Sequence, residues 1–168
     1  AGWITAPPDP AQWQATNPAS PSSDDAAIAV LVREQKPDET LDLARANWGL
    51  RRSETLNSYR ELDSQPATVL SGQPAILIHY AYVADPLRTG GSAALPVVVE
   101  AEDLIFFVDG KVVTVTVAAD SNEWEQEQPH FALVYEGLAL QRNAAEAGEV
   151  ISTPVATDTA TPAEGSQQ

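Results

Sequence analysis

Apolar positions recur along this chain with two periods, and the change of period marks the elements. From Pro74 to Val83 (PAILIHYAYV) almost every position is apolar or aromatic, over a length that suits a strand. Side chains alternate across a strand, so Ile76, Ile78, Tyr80 and Tyr82 share one face and Leu77, His79, Ala81 and Val83 the other. Leu95–Val99 and Leu104–Val108 are also extended runs, with Glu100, Glu102 and Asp103 between them. A bulge or bend is expected at these acids, because burying carboxylates is costly. Asp109-Gly110 is a two-residue hairpin signal. Beyond it, Val113, Val115 and Val117 alternate with Thr114 and Thr116, as in a strand with one drier face. Ala26–Arg33 reads as a strand apolar on both faces and covered on both. Tyr59–Leu70 reads as a weaker strand interrupted at Gln65-Pro66 and followed by the turn Ser71-Gly72-Gln73.

The helical period appears twice. Leu41, Ala44, Arg45 and Trp48 fall at i, i+3, i+4 and i+7, which predicts a helix over 39–48. Asp38 or Thr40 caps its start and Gly49 ends it, leaving Arg51-Arg52 in a solvated turn or in contact with an anion. Asp120 and Glu123 form a capping-box pattern. Pro129 then interrupts, and Phe131, Val134, Tyr135 and Leu138 mark one face of a last helix over roughly 130–141.

Three regions follow. Residues 1–25 are a Pro/Ser-rich N-terminal segment; prolines lack a backbone donor, so little regular structure is expected there beyond a short piece placing Trp13 on the core. Residues 26–142 form a single α+β domain, with Asp85–Ala94 as its loop of adaptable geometry. Residues 143–168 are an acidic Thr/Pro/Ala-rich tail, expected to be flexible.

Charge narrows the function. The chain carries 24 acidic residues against 9 basic, a net −15. That balance opposes binding to nucleic acid or to an anionic lipid surface, both of which need clustered Lys and Arg. It suits solubility or a cationic partner. Cysteine is absent, which excludes disulfides, thiolate nucleophiles and Cys-based metal sites. No apolar run approaches the roughly 18 residues that would span a membrane. Methionine is absent too, which fits a mature extracytoplasmic protein, periplasmic or at the cell surface, whose export leader is gone.

Candidate chemistry is sparse. His79 and His130 lie on different elements, and no Gly-x-Ser-x-Gly elbow or phosphate loop accompanies them. The sequence therefore assigns no catalytic, cofactor-binding or metal-ligating residue, and the expectation is a protein that is not an enzyme. Glu100, Glu102 and Asp103 keep a Ca²⁺-type or small-ligand module as the alternative, with a hydrolase as a remote one. The partner-binding candidates are the amphipathic aromatics Tyr80, Tyr82, Trp124 and Tyr135. The two terminal segments are expected to share in any partner contact.

Taken in order, the segments SGQPAILIHYAYV, DGKVVTVTVAAD and NEWEQEQPHFALVYEGL resemble the PsbP/Mog1/LpqN-like family, which includes the DcrB-type lipoproteins. Gly72, Pro74, Ala75, Gly110, Val113, Val115, Pro129 and Phe131 stand at the matching positions, and the resemblance covers roughly residues 12–142. The opening departs from the family, with proline-rich sequence in place of aromatic-rich strands. The resemblance implies an α+β fold in which a central antiparallel sheet is covered by helices as an α/β/α sandwich. It implies no shared catalysis, since members are accessory subunits, small-GTPase-binding factors or exported lipoproteins. The expected function is that of a non-enzymatic extracytoplasmic accessory or binding protein. It would be a peripheral or lipoprotein-like subunit docking on a membrane-associated complex through a protein partner.

Overall fold

The computed structural model describes residues 2–7, 9, 11–22, 24–85 and 95–142. The loop expected at Asp85–Ala94, apart from Asp85 itself, and the tail 143–168 lie outside the described residues. In chain order the elements are β1 (Ile4–Thr5), β2 (Gln12–Thr16), β3 (Ala27–Glu34), α1 (Leu41–Thr55), β4 (Arg60–Val69), β5 (Gln73–Ala84), β6 (Val97–Val108), β7 (Lys111–Asp120), α2 (Trp124–Gly137) and β8 (Gln141–Arg142). Among the described residues the strands form one antiparallel sheet, ordered β1-β2-β3-β7-β6-β5-β4-β8.

Local sequence explains the centre of this sheet. Asp109 and Gly110 have φ of 49° and 72°, the two positive values a type I′ turn needs, and β7 returns along β6 from Val108↔Lys111 to Val99↔Asp120. Gly72, at φ 121°, completes the β4–β5 turn in a conformation that a Cβ would strain. Alternation in β5 sorts its residues as the sequence predicts. Ile78 and Tyr80 pack with Ala44 of α1, whereas Leu77 packs with Phe131 and Tyr135 of α2. The two helices thus lie on opposite faces.

Among the described residues each face carries one helix, so the expected α/β/α sandwich is only partly built and the fold is dominated by its sheet. Neighbouring strands sit about 4.8 Å apart, so the six strands from β2 to β4 in sheet order span roughly 24 Å, more than twice the ~10 Å width of a helix. On one face α1 lies over β5 and β6 and leaves both its flanks open. On the other, α2 is supplemented by the N-terminal segment. Asn17 Nδ2 donates to Glu127 Oε1 at 2.9 Å, Ser20 Oγ to Glu123 Oε2 at 2.5 Å and Ser22 Oγ to Asp120 Oδ2 at 2.7 Å. The proline-rich stretch is a strap that binds the start of α2 through side chains, which does not require the backbone donors that proline lacks.

Several expectations are corrected. The opening segment supplies two strands, β2 pairing with β3 and β1 pairing in turn with β2. Trp13 does not anchor the core: it pairs with Val30 near the sheet edge and is 39% exposed. Trp3 packs on the core instead, edge-on to His130 at 5.7 Å. Strand β4 runs unbroken through Pro66; its irregularity lies between Glu61 and Asp63. Proline is tolerated there because the outer neighbour β8 pairs only at Ala67 and Thr68. Helix α1 starts as predicted, with Thr40 Oγ1 accepting from Leu43 N at 3.2 Å, but it passes through Gly49 to Thr55. Trp48 and Arg52 both bond Asp103 in the sheet, and these anchors on either side of Gly49 outweigh its propensity cost of about 1 kcal/mol. Helix α2 begins at Trp124 with Pro129 inside it. Asp120 does not cap it: the carboxylate takes Asn122 N and Nδ2, both at 2.9 Å.

Candidate functional site

The acids of β6 are the largest departure from expectation. No bend separates the two apolar runs; the strand continues through Glu102 (6% exposed) and Asp103 (1% exposed). As neighbours in a strand they point to opposite faces. On the α1 side, Asp103 accepts from Trp48 Nε1 at 2.6 Å, Arg52 Nε at 2.9 Å and Thr116 Oγ1 at 2.5 Å. It also accepts from Arg52 Nη2 at 2.8 Å. The Arg52 guanidinium lies 4.7 Å from the Trp48 ring and 5.5 Å from that of Tyr80. Burial works against its charge, but the bonds and charge of Asp103 more than compensate and hold its pKa above the usual arginine value. On the α2 side, Glu102 accepts from Tyr135 Oη at 2.5 Å and Arg142 Nη2 at 3.2 Å. The supposed cation cluster is therefore split by the sheet. Among the described residues no three acidic or histidine side chains are placed to hold a metal.

The sheet also divides the four aromatic candidates. Tyr80 is 1% exposed, stacked on Tyr82 at 6.2 Å and tilted against Tyr59 at 5.2 Å, so it offers a partner no surface. Tyr82 is half-buried; burial, reinforced by the charge of Asp24, pushes its hydroxyl up to about 12. On the other face Tyr135 is buried on Glu102, and Trp124 is half-buried, stacked on His79 at 5.7 Å and tilted against Phe131 at 5.4 Å. These rings are core and core margin rather than one patch. The histidines have separate carboxylates: His79 Nε2 lies 3.3 Å from Glu100 Oε2, and His130 Nδ1 lies 2.8 Å from Glu127 Oε2.

What the molecule presents to its surroundings lies around α1. Leu43 and Leu50, two turns apart on one side of the helix, are 49% and 59% exposed. Toward β4 and β5 the uncovered flank is an open groove of ≈580 Å³ under Leu41, floored by Pro66 and Ile76. The Arg45–Glu61 ion pair joins the helix to β4 on this side. Toward β3 and β7 the flank is a smaller pocket of ≈140 Å³ with Arg33, Lys36 and Arg51 around it and Trp48 as a wall.

The fold is shared with PA94. A crystal structure of this Pseudomonas aeruginosa protein of unknown function superposes with a TM-score of 0.60 at 11% identity, covering 82% of this chain and 96% of that one. At that identity the likeness to PA94 concerns the fold alone. Cyanobacterial PsbP (CyanoP) from Synechocystis sp. PCC 6803 aligns more loosely, with a TM-score of 0.44 at 12% identity over 80% of this chain and 83% of its own. No family model matches the chain, and no curated protein does.

Of the residues beside the smaller pocket, the sequence raised Arg51 as an anion contact but placed it in a turn. Arg33, Lys36, Asn47 and Thr114 carried no signal, since three elements distant in sequence bring them together. Leu43 and Leu50 at i, i+7 were legible once the helix was allowed to cross Gly49.

Glu39 closes one side of this region. It is 4% exposed and takes Arg33 Nη2 at 2.7 Å, Arg33 Nη1 at 2.8 Å and Lys36 N at 3.0 Å. The Arg33 hydrogen bonds, helped by the bond from Lys36 N and against the opposing effect of burial, lower its carboxyl from 4.5 to about 2. A depressed folded-state value means a stabilising contribution that is present above pH 4.5 and lost as pH falls toward 2. The stability difference between wild type and Glu39→Gln, measured by urea denaturation, is expected to shrink over that window. A difference that stays constant down to pH 2 would contradict the assignment.

Proposed function

We propose that this chain is a non-enzymatic binding domain that docks a protein partner through the outer side of α1, as a peripheral or lipoprotein-like accessory subunit of a membrane-associated complex outside the cytoplasm. The observation that carries the docking is the exposed pair Leu43 and Leu50, set between two concave flanks on one helix. Exposed apolar side chains beside grooves are the usual make-up of an interface core. The residue-level resemblance to the PsbP/Mog1/LpqN-like family supports the accessory role, and the fold shared with PA94 agrees with that architecture. The acidity, a net −15, fits that location. No helix among the described residues is long and apolar enough to cross a membrane, so membrane association on this reading comes through the partner or a lipid anchor.

The test is affinity purification of the full chain from native membranes after cross-linking, beside a Leu43→Glu/Leu50→Glu variant. Both positions are exposed, so stability is expected to stay within about 0.5 kcal/mol per site. Loss of two interface anchors, at about 2 kcal/mol, corresponds to roughly thirtyfold weaker partner recovery. Equal recovery of all partners by wild type and variant would sink the α1 assignment.

A further inference from the structure

In a chain of net charge −15 with only 9 basic residues, three of them, Arg33, Lys36 and Arg51, meet around one cavity of ≈140 Å³ between α1, β3 and β7. The local field there opposes that of the molecule as a whole. Glu39 offsets only part of it: its carboxylate is ion-paired with Arg33 through both Nη atoms and attracts the nearby Lys36 charge, but neither the Lys36 ammonium nor the Arg51 guanidinium forms a salt bridge with a carboxylate among the described residues. Arg51 is held over the Trp48 ring, 5.5 Å from its centroid, which stations its charge at the cavity's lip. The floor is dry: Ala44, Ile105 and Val112 are each no more than 2% exposed. Asn47 and Thr114 add an amide and a hydroxyl to the lining.

We propose that this cavity binds a carboxylate carried on a short apolar group. The cationic lip takes the carboxylate, with the guanidinium fork of Arg51 suited to two-point bonding, and the apolar group enters toward Ile105 and Val112. At roughly 30 Å³ per water-sized group, the volume accommodates about five such groups, the size of a short-chain carboxylic acid or of the last side chain and terminal carboxylate of a peptide. A fully polar anion such as phosphate would leave the dry floor unused. This site does not rest on the docking reading, because α1 presents Leu43 and Leu50 on its outer side and the cavity lies on a flank.

The experiment is a titration of the ¹⁵N-labelled full chain at constant ionic strength with butyrate, with butanol and with inorganic phosphate. The reporters are the Trp48 indole N–H, the Asn47 side-chain amide and the Thr114 backbone amide. Butyrate is expected to give saturable shifts at all three, while butanol and phosphate do not. Lys36→Gln and Arg51→Gln, both at exposed side chains that leave folding intact, are each expected to weaken butyrate by about fivefold. A short peptide compared with its C-terminally amidated form separates the sources. Free peptide binding well above both butyrate and the amide assigns the site to a chain end; butyrate binding as tightly assigns it to a small metabolite. Phosphate matching butyrate, shifts that never saturate, or variants that bind like wild type would overturn the proposal. Failure of the leucine variant to lose its partner would leave this result untouched.

Discussion

Asp103→Ala is expected to remove about 3–5 kcal/mol of stability, the range found when one member of a buried ion pair is deleted. For a domain whose total is on the order of 5–15 kcal/mol, that is a large fraction. The carboxylate is 1% exposed and accepts from Trp48, Thr116 and the Nε and Nη2 of Arg52. Without it, Arg52 stays charged between the rings of Trp48 and Tyr80, and the indole N–H and the Thr116 hydroxyl lose their acceptor. The loss is therefore mostly a penalty for stranded groups, not the net worth of the bonds. That distinction is testable. Asp103→Leu combined with Arg52→Met removes both charges and is expected to be less destabilising than Asp103→Ala alone. Urea denaturation of the three proteins decides it. An alanine variant within about 1 kcal/mol of wild type would show that solvent reaches this pair.

Phe131→Ala is expected to cost about 3–5 kcal/mol, with its effect concentrated in α2. The ring is fully buried, packs against the sheet and tilts against Trp124 at 5.4 Å. Helix α2 has little intrinsic support: it contains Pro129, and its cap residue Glu123 makes no side-chain capping bond. Packing at Phe131 and the Tyr135–Glu102 bond hold it on the sheet. Amide exchange in the variant is expected to accelerate across 124–137 before it does so in β5, β6 and β7. Uniform acceleration would mean that α2 and the sheet open only together. A loss under about 1 kcal/mol would mean that the site collapses around the missing ring.

The sheet was largely legible because its signals are local. Alternation in β5 and β7, the Asp109-Gly110 turn and the Thr40 cap each need only a few neighbouring residues. The misreadings share a different cause. Glu102 and Asp103 look unburiable until Arg52 and Tyr135, distant in sequence, are brought beside them. Gly49 reads as a stop until Trp48 and Arg52 are seen bound to the sheet on either side of it. Trp13 looks like a core residue because composition does not reveal that its strand lies beyond the reach of the helix. The candidate site suffered most. Its aromatics were chosen for residue type, yet Tyr80 and Tyr135 are buried, and the exposed leucine pair and the place of Arg51 on α1 became visible only when the helix acquired its full length.

The two adjacent acids of β6 also constrain how the strand can be laid down. Val97–Val108 is rich in apolar residues that would pack acceptably in more than one alignment against β5 and β7. A slip by one residue would turn Asp103 toward Tyr135 and Arg142, and Glu102 toward Arg52, each with a side chain of the wrong length. A slip by two would keep the faces but move Asp103 off Thr116, its partner in both register and hydrogen bonding. Neighbouring charges with unlike partners thus act as an alignment key, penalising wrong sheet pairings that the surrounding valines alone would permit.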